Sequence, residues 1–375
     1  MTSKTLGLYV HIPFCLQKCL YCDFCSFADT TAALRSSYVD CLCAEICAAS
    51  TRAQGYTVDT VYIGGGTPTV LDSEQLSQIA AALRESYHLA AGFEFTVEAN
   101  PKTVTPEKIN ALCEMGVNRL SLGLQSIHEN EQKALGRVHN YEDFLESYRM
   151  AREGGIDNIS VDLMYAIPHQ SCDSLRASID AVLALRPEHV SAYSLILEEG
   201  TPFYRMQDVL PLPSEQSELR MHRLLCERMR ESGYEHYEIS NFARDGRYSR
   251  HNLRYWNLSP YLGFGLGAHS YFEGERFFVP RSMDAYLTHG GVYYECERTP
   301  DENEDAYEYA MLRLRLFRGL SLSDYRARFD TDFLDGRERV VSRLVAGGLA
   351  VLEEDRFALT EEGMLVSLSV LGELL

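Results

Sequence analysis

Three thiols crowd one short stretch: HIPFCLQKCLYCDF, residues 11–24, carries Cys15, Cys19 and Cys22 in the spacing CxxxCxxC. Thiolates are ligands of zinc and of iron–sulfur clusters, and both sites normally take four protein ligands. Three ligands from one loop leave two arrangements open. A fourth can come from elsewhere in the chain, or one coordination position is kept for something else. Zinc would need the fourth, with Cys25 the nearest candidate, but zinc sites more commonly use paired CxxC spacing. Cys25 reads as a plain thiol. Cys41, Cys43 and Cys47 fall in a stretch of helical character and read as buried or idle side chains.

Such a loop needs a rigid frame. Short β-rich runs alternate with helical stretches through the first half of the chain. Strands are expected at 6–12, 60–65, 93–99, 119–125, 159–167 and 189–197, and helices at 73–87, 105–116 and 174–186. This alternation predicts an α/β fold with a parallel sheet and right-handed crossovers. Six units fit an open, partial (βα)6 barrel better than a closed eight-stranded one, with a doubly wound sheet as the alternative. Beyond residue 200 the pattern changes. A helix is expected at 215–232, followed by the aromatic, glycine-rich stretch HNLRYWNLSPYLGFGLGAHSYF at 251–272. The acidic stretch RTPDENEDAYEY (298–309) marks a boundary, and the remainder reads as three helices and a small β-hairpin, a winged-helix-like α+β unit. The chain thus divides into a barrel carrying the thiols (1–200), an extension (201–297) and a C-terminal domain (298–375).

In βα barrels, ligands bind where strands end and loops begin. The first strand runs into the three-cysteine loop. The second runs into GGGTPT (64–69), whose glycines let backbone N–H groups approach a ligand. The third ends at Glu98, the fourth at Gln125, and Asp162 lies within the fifth. A lone GGG is usually a turn, and a strand-end carboxylate often only faces water. Their shared placement at one mouth is what points to a site.

The bulk numbers narrow the partners. At 375 residues the chain holds two or three domains, and its 24% charged and 46% hydrophobic content is ordinary for globular proteins. A formal charge of −19 argues against nucleic acid and anionic membranes as main partners. No apolar run reaches the length of a membrane helix, so an integral membrane protein is not expected. Eleven scattered cysteines and an opening segment unlike a secretory signal lead to a cytoplasmic expectation.

CLQKCLYC resembles the CxxxCxφC motif of radical S-adenosylmethionine proteins, φ being Tyr21. The resemblance implies a [4Fe–4S] cluster on Cys15, Cys19 and Cys22, with S-adenosylmethionine on the remaining iron: the missing ligand would be the cofactor. YVHIPFC, GGGTPT and YLGFGLGAHSYF extend the likeness to the coproporphyrinogen dehydrogenase group over nearly the whole chain. Tyr9, Tyr21, Gly65, Gly66, Thr67, Glu98, Gln125, Arg137 and Asp162 match that group's S-adenosylmethionine contacts. Arg137 can pair with a carboxylate and Tyr21 can pack near adenine.

Two departures from the dehydrogenase matter. Phe24 stands where it has a further cysteine, and only 14 residues precede Cys15. Both resemble instead the HemW branch of haem chaperones, with the pattern CxxxCxxCDF. HNLRYW (251–256) resembles that branch's HNxxYW motif, which implies haem contacts at His251, Asn252, Tyr255 and Trp256. A neutral imidazole can ligate haem iron, although an isolated histidine is more often a hydrogen-bonded structural residue. The expectations are therefore haem as cargo and a respiratory, membrane-associated acceptor protein. The alternatives are an oxygen-independent coproporphyrinogen III decarboxylase and a radical enzyme that modifies haem.

Overall fold

A computed structural model describes residues 4–292, 294–299 and 301–375. Six parallel strands form its centre: β1 (Lys4–Ile12), β2 (Tyr56–Gly65), β3 (Leu89–Ala99), β4 (Arg119–Gln125), β5 (Ile159–Tyr165) and β6 (His189–Ser194). Side chains alternate along them, with irregularities in register at β2 and near the end of β4. Leu6, Leu8, Val10 and Ile12 point to the buried outer face, as do Val61 and Ile63, Leu120 and Leu122, Val161 and Leu163. The opposite face carries Tyr9, Tyr62, Glu98, Ser121 and Asp162, so the interior of the partial barrel is polar and its outside is the hydrophobic core.

Helices cover that outer face. Ser73–Ser86 shows why they form: Asp72 and Gln75 close a reciprocal capping box, and Leu76, Ile79, Ala80 and Leu83 recur at helical spacing and are buried. Each of its larger apolar side chains contributes about 1.5–3 kcal/mol on burial. Asn140 and Ser171 cap the helices Tyr141–Glu153 and Cys172–Leu185 with boxes of the same kind.

The stretch 201–297, set apart in the sequence as an extension, is woven into the barrel sheet on both edges. β7 (Glu235–Glu238) and β8 (Asn241–Ala243) add antiparallel strands beside β6. β9 (Tyr261–Phe264) pairs parallel to β1, and β10 (His269–Phe272), β11 (Glu275–Phe278) and β12 (Glu295–Arg298) continue from it, completing one twelve-stranded sheet. The glycine-rich appearance of 261–268 has a local cause: a Cβ on Gly263 would lie 2.2 Å from the His269 carbonyl oxygen.

The C-terminal region packs around Phe333, Phe357 and Leu320, a second core that Leu258, Tyr261 and Tyr271 of the preceding segment share. Helices Glu302–Arg313, Leu322–Phe329 and Glu338–Ala346 precede the hairpin β14 (Ala350–Glu353) and β15 (Arg356–Leu359), with the short β13 (Leu320–Ser321) completing three strands. This is the helix–helix–helix–hairpin order expected for a winged-helix-like unit. Two short helices, Glu361–Leu365 and Ser367–Leu374, follow it. Among the described residues no helix is long and apolar enough to cross a membrane.

Candidate functional site

The loop after β1 is pinned at several points. Cys15 N–H donates to the Phe27 carbonyl (3.0 Å) and Phe27 N–H to that of Pro13 (2.8 Å), closing its base. Its far side is tied to the segment before Arg137: Leu20 N–H donates to Leu135 O (3.1 Å), and Gln17 Nε2 to Gly136 O (3.0 Å). His11, buried at the end of β1, braces it from within. Its Nε2–H donates to Cys25 O (2.8 Å) while Nδ1 accepts from the Tyr9 hydroxyl (3.0 Å). Burial holds this imidazole neutral, with its pKa down at about 4.

Cys15, Cys19 and Cys22 line one cavity of about 390 Å3 at the carboxyl ends of the strands. None is in a disulfide. Two already meet donors: Thr67 Oγ1 donates to Cys15 Sγ (3.7 Å) and Arg137 Nη1 to Cys19 Sγ (3.6 Å). Arg137 is further fixed by Nη2 to Gly123 O (2.8 Å), and its Nε is buried with no protein partner. Burial, reinforced by the neighbouring thiols, pushes Cys22 up to about 11; a bound cation reverses that penalty. Among the described residues no three His, Cys, Asp or Glu side chains are grouped to share a single ion. An iron–sulfur cluster takes its thiolates on separate irons and does not require such a grouping.

Tyr21, Gly65, Gly66, Thr67, Glu98, Gln125, Arg137 and Asp162 all line the same cavity. Glu98 accepts from Tyr62 OH (2.6 Å) and Gly65 N–H (3.0 Å), and its burial raises its pKa. Asp162 accepts from Ser121 Oγ (3.1 Å); burial, with Glu98 adding to it, raises its pKa to about 7. The buried Arg119 guanidinium opposes both shifts. Gln125 sits at φ 69°, a left-handed conformation uncommon for a side-chain-bearing residue, at the point where β4 turns into the mouth.

Several expectations need correction. The glycine loop does not offer its N–H groups to a ligand: Gly65 donates to Glu98, Gly66 to Ile12 O (2.8 Å) and Thr67 to Phe14 O (2.7 Å). Glycine is needed because the loop lies against β1; a Cβ at Gly65 would sit 2.3 Å from the His11 ring. Tyr9 is set back from the cavity wall, stacked on Tyr62 and bonded to His11.

The HNxxYW motif lies elsewhere. Helix Arg250–Trp256 enters the barrel from the amino ends of the strands, its first N–H groups donating to the Glu94 carboxylate (3.0 Å each). His251 is fully buried, with Nδ1 bonded to Thr60 Oγ1 (3.0 Å) and Nε2 to Tyr255 OH (2.9 Å). Its ring packs against Tyr62 (5.3 Å between centroids), and burial holds its pKa near 3. Both nitrogens are thus committed, and in this conformation His251 has no lone pair to offer haem iron. Asn252 lies in the first turn of the helix, its N–H reaching the Ser249 cap (3.4 Å); Tyr255 also packs on Tyr261, and Trp256 faces Arg315. The motif is the floor of the barrel.

Asn100, Ser121, Met164, Tyr193, Leu195, Ile196 and Glu198, which carry no motif in the sequence, share the cavity wall. Ser121 and Tyr193 were reachable by counting two residues along β4 and β6 from inward neighbours. Cys25 is not in the wall. Cys25→Ala is therefore expected to retain full iron and sulfide content, checked by metal and acid-labile sulfide assay; loss of iron would make it a ligand.

Comparison with known proteins speaks to the fold and the family. The family model of the radical SAM superfamily matches residues 9–182, and that of the HemN C-terminal domain matches 301–366. The coproporphyrinogen III oxidase HemN from Escherichia coli, described as a radical SAM enzyme, superposes with a TM-score of 0.87 over 99% of this chain and 90% of its own, at 23% identity, which speaks to the fold. The haem chaperone HemW of Escherichia coli K12 is 34% identical over 83% of this chain and 82% of its own. That of Bacillus subtilis 168 is 37% identical over 98% of both. The chain belongs to the haem chaperone HemW family.

Proposed function

We propose that the protein is a haem chaperone that binds haem and passes it to an acceptor protein, and that Cys15, Cys19 and Cys22 hold a [4Fe–4S] cluster completed by S-adenosylmethionine. Family membership over the full chain supports the chaperone role. The observation that carries the cofactor assignment is the convergence of three thiols outside any disulfide, the Arg137 guanidinium and two half-buried carboxylates on one cavity. When bound, the cluster and S-adenosylmethionine supply one-electron chemistry. The chain's own contribution is binding and orientation. Arg137, with an unpartnered Nε, is placed to meet a carboxylate, and Glu98 and Asp162 to meet cationic or hydroxyl groups.

One pH dependence follows. Asp162 takes a proton at about 7 in the free chain, and a cationic ligand requires it ionised. Below that value proton release opposes binding, so affinity for S-adenosylmethionine should fall as pH drops from 8 to 6, by up to about tenfold per pH unit. Calorimetric titration across that range checks it, and Asp162→Asn should flatten the profile.

The chaperone and decarboxylase readings separate in one anaerobic experiment. Cluster-loaded protein with reductant, S-adenosylmethionine and coproporphyrinogen III should form no protoporphyrinogen, yet take up haem saturably with one equivalent. Turnover of the porphyrinogen would overturn the chaperone assignment. Phe24 supports the expected result: two positions after Cys22, where the dehydrogenase carries a thiol, this chain holds an exposed aromatic ring on the cavity wall.

A further inference from the structure

Exposed apolar side chains gather at one place. Of the sixteen large hydrophobic residues that stand exposed among the described residues, eight fall in two short segments, 16–27 and 193–209. The segments form one surface. Phe203 N–H donates to Leu20 O (3.1 Å), and Leu20, Tyr21, Leu195 and Leu197 pack on a shared small core of Leu135, Met164, Ile167 and Phe203. Phe24 and Ile196, 60% and 66% exposed, stand on the rim of the cavity that the thiols line. An apolar patch bordering a cavity marks a binding face.

We propose that this rim, and not the HNxxYW motif, is where the haem cargo docks, with the macrocycle against Phe24 and Ile196 and its carboxylate edge toward Lys18 and Arg205. The inference rests on the haem-chaperone reading and gives it a site. Shape and charge select the occupant. A porphyrin is flat, apolar on both faces, and carries two carboxylates along one edge. Lys18 and Arg205 are exposed and donate only to the Phe24 (3.0 Å) and Gly200 (3.3 Å) carbonyls; neither stands in an ion pair among the described residues. In a chain of net charge −19, two cations without carboxylate partners beside one apolar face suit an apolar dianion. Asp23 and Glu198 also line the cavity, so the ligand's carboxylate edge is directed away from them. The competing site is closed, because His251 is buried with both nitrogens bonded. No histidine lines the cavity, so affinity here comes from apolar area and charge.

The test is an anaerobic haem titration of the cluster-loaded protein, with iron and sulfide measured on every sample. Phe24→Ser with Ile196→Ser should raise the Kd for haem about tenfold or more. Arg205→Glu should weaken binding several-fold at low salt, with the effect shrinking as salt is added. Should the double variant lose iron, Ile196→Ser alone carries the comparison instead, since Ile196 stands on the rim but follows β6 rather than the cysteine loop. Undiminished affinity in cluster-loaded rim variants overturns the proposal. So does a wild type that self-associates while the rim variants stay monomeric with haem affinity intact, which would give the face to a second copy of the chain. A wild type that binds no haem overturns the chaperone reading itself.

Discussion

Cys19→Ala is expected to abolish cluster assembly: anaerobic reconstitution should leave near-background iron and sulfide, without the broad charge-transfer absorbance of a thiolate-bound cluster. Cys19 faces the cavity with Cys15 and Cys22 and accepts from Arg137, so its loss removes a proposed ligand and one of the two partners of the guanidinium. The fold should survive. The loop is held by backbone bonds at Cys15, Leu20 and Phe27 and by His11 on Cys25 O, none of which involves the Cys19 side chain. A far-ultraviolet spectrum and unfolding midpoint close to wild type, with iron absent, is the expected pair of results. Iron content equal to wild type would remove Cys19 from the ligand set.

His251→Ala should behave in the opposite sense, with a large cost in stability and little in haem affinity. The substitution leaves the hydroxyls of Thr60 and Tyr255 without their buried partner and opens a cavity against Tyr62 and Tyr9. Loss of two buried hydrogen bonds and a packed ring costs about 2–4 kcal/mol. Tyr62 also donates to Glu98, so loosening the floor should reach the cofactor pocket and weaken S-adenosylmethionine. Denaturant unfolding and parallel titrations with haem and S-adenosylmethionine decide it. A mutant of wild-type stability whose Soret band is weakened or shifted would return His251 to the role of iron ligand.

These two residues show what the sequence carries and what it withholds. The thiols were legible because their spacing within one loop already constrains chemistry, whatever surrounds it. The six parallel strands were legible because a period-two alternation over five or more residues is hard to produce otherwise, as in Leu6, Leu8, Val10 and Ile12. Glu98, Gln125 and Asp162 followed from knowing where such strands end. The strands from β7 to β12 span three or four residues each, too short to show a period, so 201–297 looked like a separate extension. A histidine in a seven-residue helix gives no sign of which face it presents, and only the three-dimensional arrangement shows it pointing between Thr60 and Tyr255. The glycine loop misled for a related reason: its residues do mark close approach, but to the chain's own β1 rather than to a ligand.

The pairing of β1 with β9 has a consequence for how the molecule is made. Gly7 lies beside Tyr261, 254 residues further along the chain. The strand that delivers the cysteine loop therefore keeps one edge bare through most of synthesis, for roughly ten to fifty seconds at ordinary elongation rates. A bare edge is a template for mispairing. The floor helix at 250–256 also emerges late, so the barrel interior stays open until then. The strand that leads into the cysteine loop is thus among the last to be finished, which favours filling of that loop only after β9 has been made.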